Sequence, residues 1–260
     1  MQITNSYYWF KEALSPEVCQ KIIDIGTERI DSLKKEGQNV SATTAGYNHK
    51  QGLEEQGLKV QAANEKTNEE LITEWGVSQN DIEKSRYIRD SEVCWLDDQW
   101  LYDTVWPYLM DANKKAGWQY EFDCGESFQF TKYGLNQFYG WHADGNGDHF
   151  AMYKRAIPGV THKDTKGMYP RGYTDNPNMV GKVRKLSMTI NLNKPGEYEG
   201  GNLKFDFGPH AAGKRFHECE EIRPQGSIIV FPSYVYHQVT PVTKGTRYSL
   251  VLWLLGRPFK

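Results

Sequence analysis

Residues 185–193 read KLSMTINLN, and apolar and polar positions alternate without a break. Leu186, Met188, Ile190 and Leu192 fall on one side, and Ser187, Thr189 and Asn191 on the other. Successive side chains of a strand point to opposite faces, so this stretch predicts a β-strand with one apolar face. The same period recurs on both sides of it. ESFQFTKY (126–133) alternates through Phe128 and Phe130, and NLKFDFG (202–208) groups Leu203, Phe205 and Phe207. GSIIVFP (226–232) is a short apolar run between turn residues. RYSLVLWLL (247–255) puts Arg247, Ser249, Val251 and Trp253 on one face and Tyr248, Leu250, Leu252 and Leu254 on the other. Short strands separated by Gly and Pro turns, with no helical pattern between them, predict a sandwich, barrel or jelly roll over residues 123–260.

The first 122 residues follow a helical period instead. In LSPEVCQKIIDIG (14–26), Ser15 is a cap, Pro16 suits the first helical position, and Gly26 is the expected end. Val18, Ile22 and Ile25 give that helix its apolar face. LDDQWLYDTVWPYLMDANKKAGW (96–118) carries a second stripe, Leu101, Val105, Leu109 and Ala112, with Gly117 as a stop. Pro107 requires this helix to start near Asp103 or to bend. Residues 31–92 are polar and weakly patterned, and NEELITEWG (68–76) reads as a short helix within them. The expected architecture is α+β: a mainly helical support region, 1–122, packed on a β core, 123–260, as a single functional unit over 1–260.

Bulk properties narrow the function classes. The chain has 260 residues, a formal charge of −2, and 16 Tyr, 11 Phe and 8 Trp. Its mean hydropathy is −0.70. These values describe a folded protein with a polar surface. The charge gives no reason to expect nucleic acid. No apolar run is long enough to cross a membrane, and the opening MQITNSYYWF has no secretory signal pattern. Cys19, Cys94, Cys124 and Cys219 are scattered, which suits free thiols in the cytosol.

The densest polar cluster is YGWHADGNGDHF (139–150). A calcium loop opening at Asp144 would need Gly at its sixth position and Glu at its twelfth, where His149 and Arg155 stand. His142 and Asp144 are better read as an H-x-D pair at a strand end, with both side chains on one side. Alone the pair is weak evidence, because most such pairs are surface residues. A third ligand from a distant strand would make the two-histidine, one-carboxylate set of non-haem Fe(II) oxygenases. His237, in PSYVYHQVTPV (232–242) and 95 residues on, is the best candidate. His149, His162, His210 and His217 lie in polar, Gly- or Lys-containing stretches and are assigned solvated roles. Arg247 strengthens the metal reading, because an oxo-acid cosubstrate with a distal carboxylate needs a fixed cationic fork. The competing reading of Arg247 is a strand-end salt bridge.

With these residues in place, the C-terminal half resembles prolyl 4-hydroxylase-like Fe(II)/2-oxoglutarate dioxygenases, especially the PKHD-type hydroxylases. YGLNQFYGWHADG (133–145) resembles their Y-x-x-G-x-x-Y-x-x-H-x-D signature. LSMTINLN…YEGGNLKF and QGSIIVFPSYVYHQVTPVTKGTRYSLVLWL resemble the later blocks, in order, so that the likeness covers about residues 126–256. The resemblance implies a double-stranded β-helix, with His142, Asp144 and His237 ligating iron at the catalytic centre. It implies that Arg247 binds the distal carboxylate of 2-oxoglutarate and that Tyr133 assists. Ser249 shares the face of Arg247 and is grouped with it. Trp253 stands where relatives line the same pocket, or is plain core. Asn191 stands where some relatives carry a further cosubstrate-binding tyrosine. Asn136 replaces the signature glycine, and Asn tolerates the left-handed conformation. The implied cofactors are Fe(II), 2-oxoglutarate and O2, with ascorbate a candidate reductant.

Three substrates compete under this resemblance. A prolyl residue in a protein or peptide is favoured, and a free amino acid or small metabolite comes second. Nucleic-acid dealkylation would call for a second arginine six residues after Arg247, where Trp253 stands. A non-catalytic β-sandwich binding module is the alternative of a different class, but it has no need of all three ligands plus the arginine. The connection 145–184 is long enough to be a substrate lid, with Tyr153, Tyr169 and Tyr173 as contacts, or an insertion without a role.

Overall fold

The computed structural model describes residues 5–38, 40–42, 89–145, 161–164, 167–170, 182–208 and 215–258. The first helix, α1 (Pro16–Lys35), starts as its sequence dictates: Ser15 Oγ accepts a hydrogen bond from the Val18 amide at 3.3 Å, and Pro16 opens the helix. It does not end at Gly26, as the sequence suggested. Gly26 lies in the buried stripe with Cys19, Ile22 and Ile30, and a Cβ there would sit 2.3 Å from Cγ of Phe130. This glycine is a point of close approach between helix and sheet, and the helix continues past it.

The second helix, α2 (Gln99–Lys115), runs through Pro107 and buries Leu101, Val105, Leu109 and Ala112, the expected stripe. Pro107 offers no amide to the turn before it, so packing of that stripe must hold the helix there. Gly117, at φ 75°, follows the helix end.

Two antiparallel sheets form the core in a jelly-roll arrangement. The larger has the order β1 (Tyr8–Phe10), β13 (Ile228–Pro232), β9 (Val183–Asn191), β16 (Arg247–Gly256), β5 (Phe128–Tyr133) and β3 (Glu92–Leu96), with β4 (Cys124–Gly125) also paired to β16. The smaller has the order β12 (Phe216–Glu218), β11 (Leu203–Asp206), β14 (Tyr236–Val239), β6 (Phe138–His142) and β2 (Arg89–Asp90). Two further pairs, β10 (Tyr198–Gly200) with β15 (Val242–Gly245) and β7 (Thr161–Asp164) with β8 (Gly167–Pro170), complete the described strands. The N-terminal region therefore supplies the two described α-helices and also β1, β2 and β3.

The alternation read from the sequence sorts the large sheet into two faces. Leu186, Met188, Ile190, Leu250, Leu252, Leu254, Phe128 and Phe130 join one apolar cluster with the helical residues Cys19, Ile22, Leu101, Val105 and Leu109. Burial of each such side chain contributes roughly 1.5–3 kcal/mol. The opposite face looks into the space between the sheets and carries the polar set, Gln129, Thr131, Ser187, Thr189, Arg247 and Ser249, all buried. Toward β13 that space is apolar, filled by Leu203, Phe205, Ile229, Phe231 and Val235.

NEELITEWG and most of the connection 145–184 lie outside the described residues, as do the side chains of Tyr153, Tyr169 and Tyr173. The backbone of β7 and β8 shows a hairpin within that connection. Among the described residues, no helix is long and apolar enough to cross a membrane.

Candidate active site

The register of β6 against β14 sets His142 directly opposite His237. Residues 95 apart thereby become neighbours, with ring centroids 4.2 Å apart. Asp144 lies two residues beyond the end of β6. His142 Nε2 is 3.5 Å from Asp144 Oδ1, and His237 Nε2 is 3.6 Å from Oδ2. One ligand atom from each of the three residues lies within 4.8 Å of the others.

The second nitrogen of each ring fixes its tautomer. His142 Nδ1 lies 2.8 Å from the Gly140 carbonyl, and His237 Nδ1 lies 2.9 Å from the Val235 carbonyl. Each Nδ1–H donates to its carbonyl, which leaves the Nε2 lone pair directed at the carboxylate. Burial, joined by the charge of His142, pushes the His237 pKa down to about 4, against the pull of Asp144. Burial opposes ionisation of Asp144, but His237, His142 and Arg184 outweigh it and hold the carboxyl well below the usual range. With each Nδ1 committed to a carbonyl, the two Nε2 atoms and the carboxylate converge on one point. A divalent cation fits such a donor set, and two nitrogens with one carboxylate oxygen suit Fe(II).

Asp144 has no strand to hold it, and other contacts serve. The neighbouring Gly145 amide donates to the Ser233 carbonyl at 2.9 Å. Arg184 Nη1 donates to the Asp144 carbonyl at 3.3 Å. Arg184 is itself fixed by Glu126, through Nε to Oε1 at 2.5 Å and Nη2 to Oε2 at 2.7 Å, and lies 4.0 Å from the centre of the Trp253 ring. Burial alone would favour the neutral guanidine, but Glu126 and Asp144 keep Arg184 charged.

One cavity joins His142, Asp144 and His237 to Arg247, Tyr133, Ser249 and Trp253. Arg247 is 1% exposed, its Nη1 donates to Ser249 Oγ at 3.2 Å, and its Nε is buried with no hydrogen-bond partner. Its guanidinium lies 5.3 Å from the centre of the Tyr133 ring. No described carboxylate pairs with it, so the strand-end salt bridge weighed above does not occur among the described residues. A buried guanidinium facing a cavity without a counter-charge is a binding site for an external anion.

Asn191 is not brought to this cavity. Its amide donates to the carbonyls of Asn193 at 3.2 Å and Arg223 at 2.8 Å, tying down the turn that follows β9. His217 is not simply solvated either: its ring stacks on Tyr7 at 5.6 Å and its Nε2 lies 2.9 Å from the Tyr7 hydroxyl. Tyr139 stacks on His142 with centroids 3.5 Å apart and planes 13° apart, which fixes the ring without ligating anything. Gln129, Thr189 and Arg89 also line the cavity and were not singled out from the sequence. Gln129 could have been found, because it alternates with Phe128 and Phe130 on β5. Arg89 could not, because its segment has no period.

Comparison with known proteins agrees with this geometry. The pattern of the 2OG-Fe(II) oxygenase superfamily matches residues 128–255. A PKHD-type hydroxylase of Prochlorococcus marinus is 38% identical over 102 residues, covering 38% of this chain and 42% of that protein. Another, from a Picosynechococcus species, is 34% identical over 106 residues, covering 41% of this chain and 42% of that protein. The matched region thus spans less than half the length of these relatives. Among solved structures, a viral collagen prolyl hydroxylase from Paramecium bursaria Chlorella virus-1, in complex with 2OG, superposes with a TM-score of 0.53 at 14% identity, covering 97% of both chains. A Pseudomonas putida prolyl-4-hydroxylase superposes with a TM-score of 0.52 at 15% identity, covering 99% of this chain and 95% of that one. These two likenesses support the jelly-roll fold, and the sequence match is confined to the C-terminal half. Over residues 128–255, the chain is similar to the 2OG-Fe(II) oxygenase superfamily.

Proposed function

We propose that this protein is an Fe(II)- and 2-oxoglutarate-dependent dioxygenase that hydroxylates an aliphatic C–H, with a prolyl residue of a protein or peptide as the substrate. The observation that carries the reading is the shared cavity of His142, Asp144, His237 and the counter-charge-free Arg247. The three ligands would hold Fe(II), and Arg247, Ser249 and Tyr133 would hold the distal carboxylate of 2-oxoglutarate. Bound together, these groups supply oxidative decarboxylation of 2-oxoglutarate to succinate and carbon dioxide, with one oxygen atom of O2 passing to the substrate. Ascorbate enters the proposal as an external reductant. The names of the structural neighbours, prolyl hydroxylases, support a prolyl substrate.

The protein's own residues orient and enclose. The Nδ1 contacts of His142 and His237 turn their Nε2 atoms toward the metal position. Tyr139 prevents the His142 ring from turning. Trp253 and Phe231 wall the cavity and exclude water from the reacting groups.

The direct test is anaerobic titration with Fe(II) and then 2-oxoglutarate, which should produce a weak visible charge-transfer band. His142→Ala and Asp144→Ala should each abolish the band and the slow turnover of 2-oxoglutarate without substrate. An unchanged band in either variant would remove these residues from the metal site. Mass spectrometry of proline-containing peptides after aerobic reaction then reads the gain of one oxygen.

A further inference from the structure

The cavity holds a second arginine that the proposed cosubstrate does not use. Arg89 opens β2 and is 7% exposed. Its Nε donates to Ser91 Oγ at 3.0 Å and its Nη1 to Gln129 Oε1 at 3.5 Å. Its Nη2 is buried and has no hydrogen-bond partner. Every group that holds Arg89 is neutral: a hydroxyl, an amide, and the Tyr139 ring 4.5 Å from its guanidinium carbon. Among the described residues no carboxylate forms an ion pair with it. Gln129 is oriented in turn by its amide bond to Thr131 Oγ1 at 2.9 Å, so the guanidinium is held in place by design of the fold.

Charge balance points to a ligand for it. A buried cation without a partner is costly unless an anion arrives. In the loaded site Fe(II), Arg247 and Arg184 would carry four positive charges together, and Asp144, Glu126 and the 2-oxoglutarate dianion four negative ones. Among the described residues around the cavity, Arg89 is left without a counter-charge. It also stands apart from Arg247, on the smaller sheet, and is stacked on the tyrosine that stacks on His142. A carboxylate held by its free Nη2 would belong to a molecule placed beside the metal ligands.

We propose that Arg89 receives a carboxylate of the molecule that is oxidised, so the substrate is an acid at or next to its target carbon. The source is either a free amino acid or a peptide with an acidic residue beside the target. This inference rests on the oxygenase reading above and names the substrate's chemistry.

The test uses the anaerobic Fe(II)- and 2-oxoglutarate-loaded protein and the shift of its visible band on substrate binding. Two probe pairs differ only in the carboxylate: L-proline against L-prolinamide, and acetyl-Ala-Pro-Glu-amide against acetyl-Ala-Pro-Gln-amide. In one pair the acid should act at a concentration about tenfold or more below its amide, as a hydrogen bond to a charged group requires. The discriminating pair identifies the source. Arg89→Gln should erase the preference, and Arg89→Lys, which keeps the charge but not the fork, should retain part of it. Circular dichroism checks that both variants fold. The proposal is overturned if neither pair discriminates, if Arg89→Gln keeps the preference, or if that variant instead raises the half-saturating 2-oxoglutarate about tenfold, which would assign Arg89 to the cosubstrate. If the unaltered protein gives no band with Fe(II) and 2-oxoglutarate, the oxygenase reading itself fails, and the inference falls with it.

Discussion

Asp144 is the proposed ligand with the least local support, because it lies past the end of β6. Its backbone is held by Arg184, and Arg184 by Glu126. Outer partners of a metal site commonly change metal affinity by about ten- to hundredfold when removed. Arg184→Lys cannot reproduce the bidentate pair with Glu126 and the bond to Asp144 together. It should therefore weaken Fe(II) binding by about tenfold or more while far-ultraviolet circular dichroism stays native. An Fe(II) titration within twofold of the unaltered protein would show that Asp144 needs no such support. Arg247 makes a separable prediction. Arg247→Ala should raise the half-saturating 2-oxoglutarate about ten- to hundredfold, the value of a lost charged hydrogen bond, and leave Fe(II) affinity nearly intact. Isothermal titration with each component in turn distinguishes the two arginines.

Helix α1 and strand β5 meet at Gly26 and Phe130, and this contact corrects the sequence reading most. Glycine commonly ends helices, so position 26 looked like a stop. Its real cause is spatial: the Phe130 ring occupies the volume that a Cβ would need, at 2.3–2.5 Å. Gly26→Ala would gain up to about 1 kcal/mol in helix propensity. It would lose more from overpacking, about 1–3 kcal/mol, because Phe130 is fully buried and cannot move away. The net expectation is a less stable protein, read as a lower Tm and denaturant midpoint; an unchanged or raised midpoint would show that the ring can yield. Asn136 shows the opposite case, where local reading sufficed. It replaces the signature glycine and adopts φ 63°, the conformation that asparagine tolerates.

Across the whole molecule the layers are ordered helix, sheet, polar interior, second sheet, and the cysteines report this burial. Burial pushes the Cys19 thiol up to about 11 and the Cys94 thiol up to about 12, and it raises Cys219 also. Thiolates are the reactive form, so these three should resist alkylation at pH 7–8. Cys124, half-buried on β4, should label first with iodoacetamide, and the other three only on unfolding. Early labelling of Cys19 or Cys94 would mean that the helical layer opens easily from the sheet. At this scale the division between sequence and structure is clear. Alternation along 185–193 and 247–255, the stripe of α2 and the H-x-D pair were legible because they depend on neighbours in the chain. Single-residue periodicity fixes which face a side chain takes. The seating of His142 against His237, the support of Asp144 by Arg184, the withdrawal of Asn191 into a turn and the arrival of Arg89 in the cavity were not legible. Each depends on strand register and on side-chain partners 32 to 95 residues away, which only the packed fold brings within hydrogen-bond range.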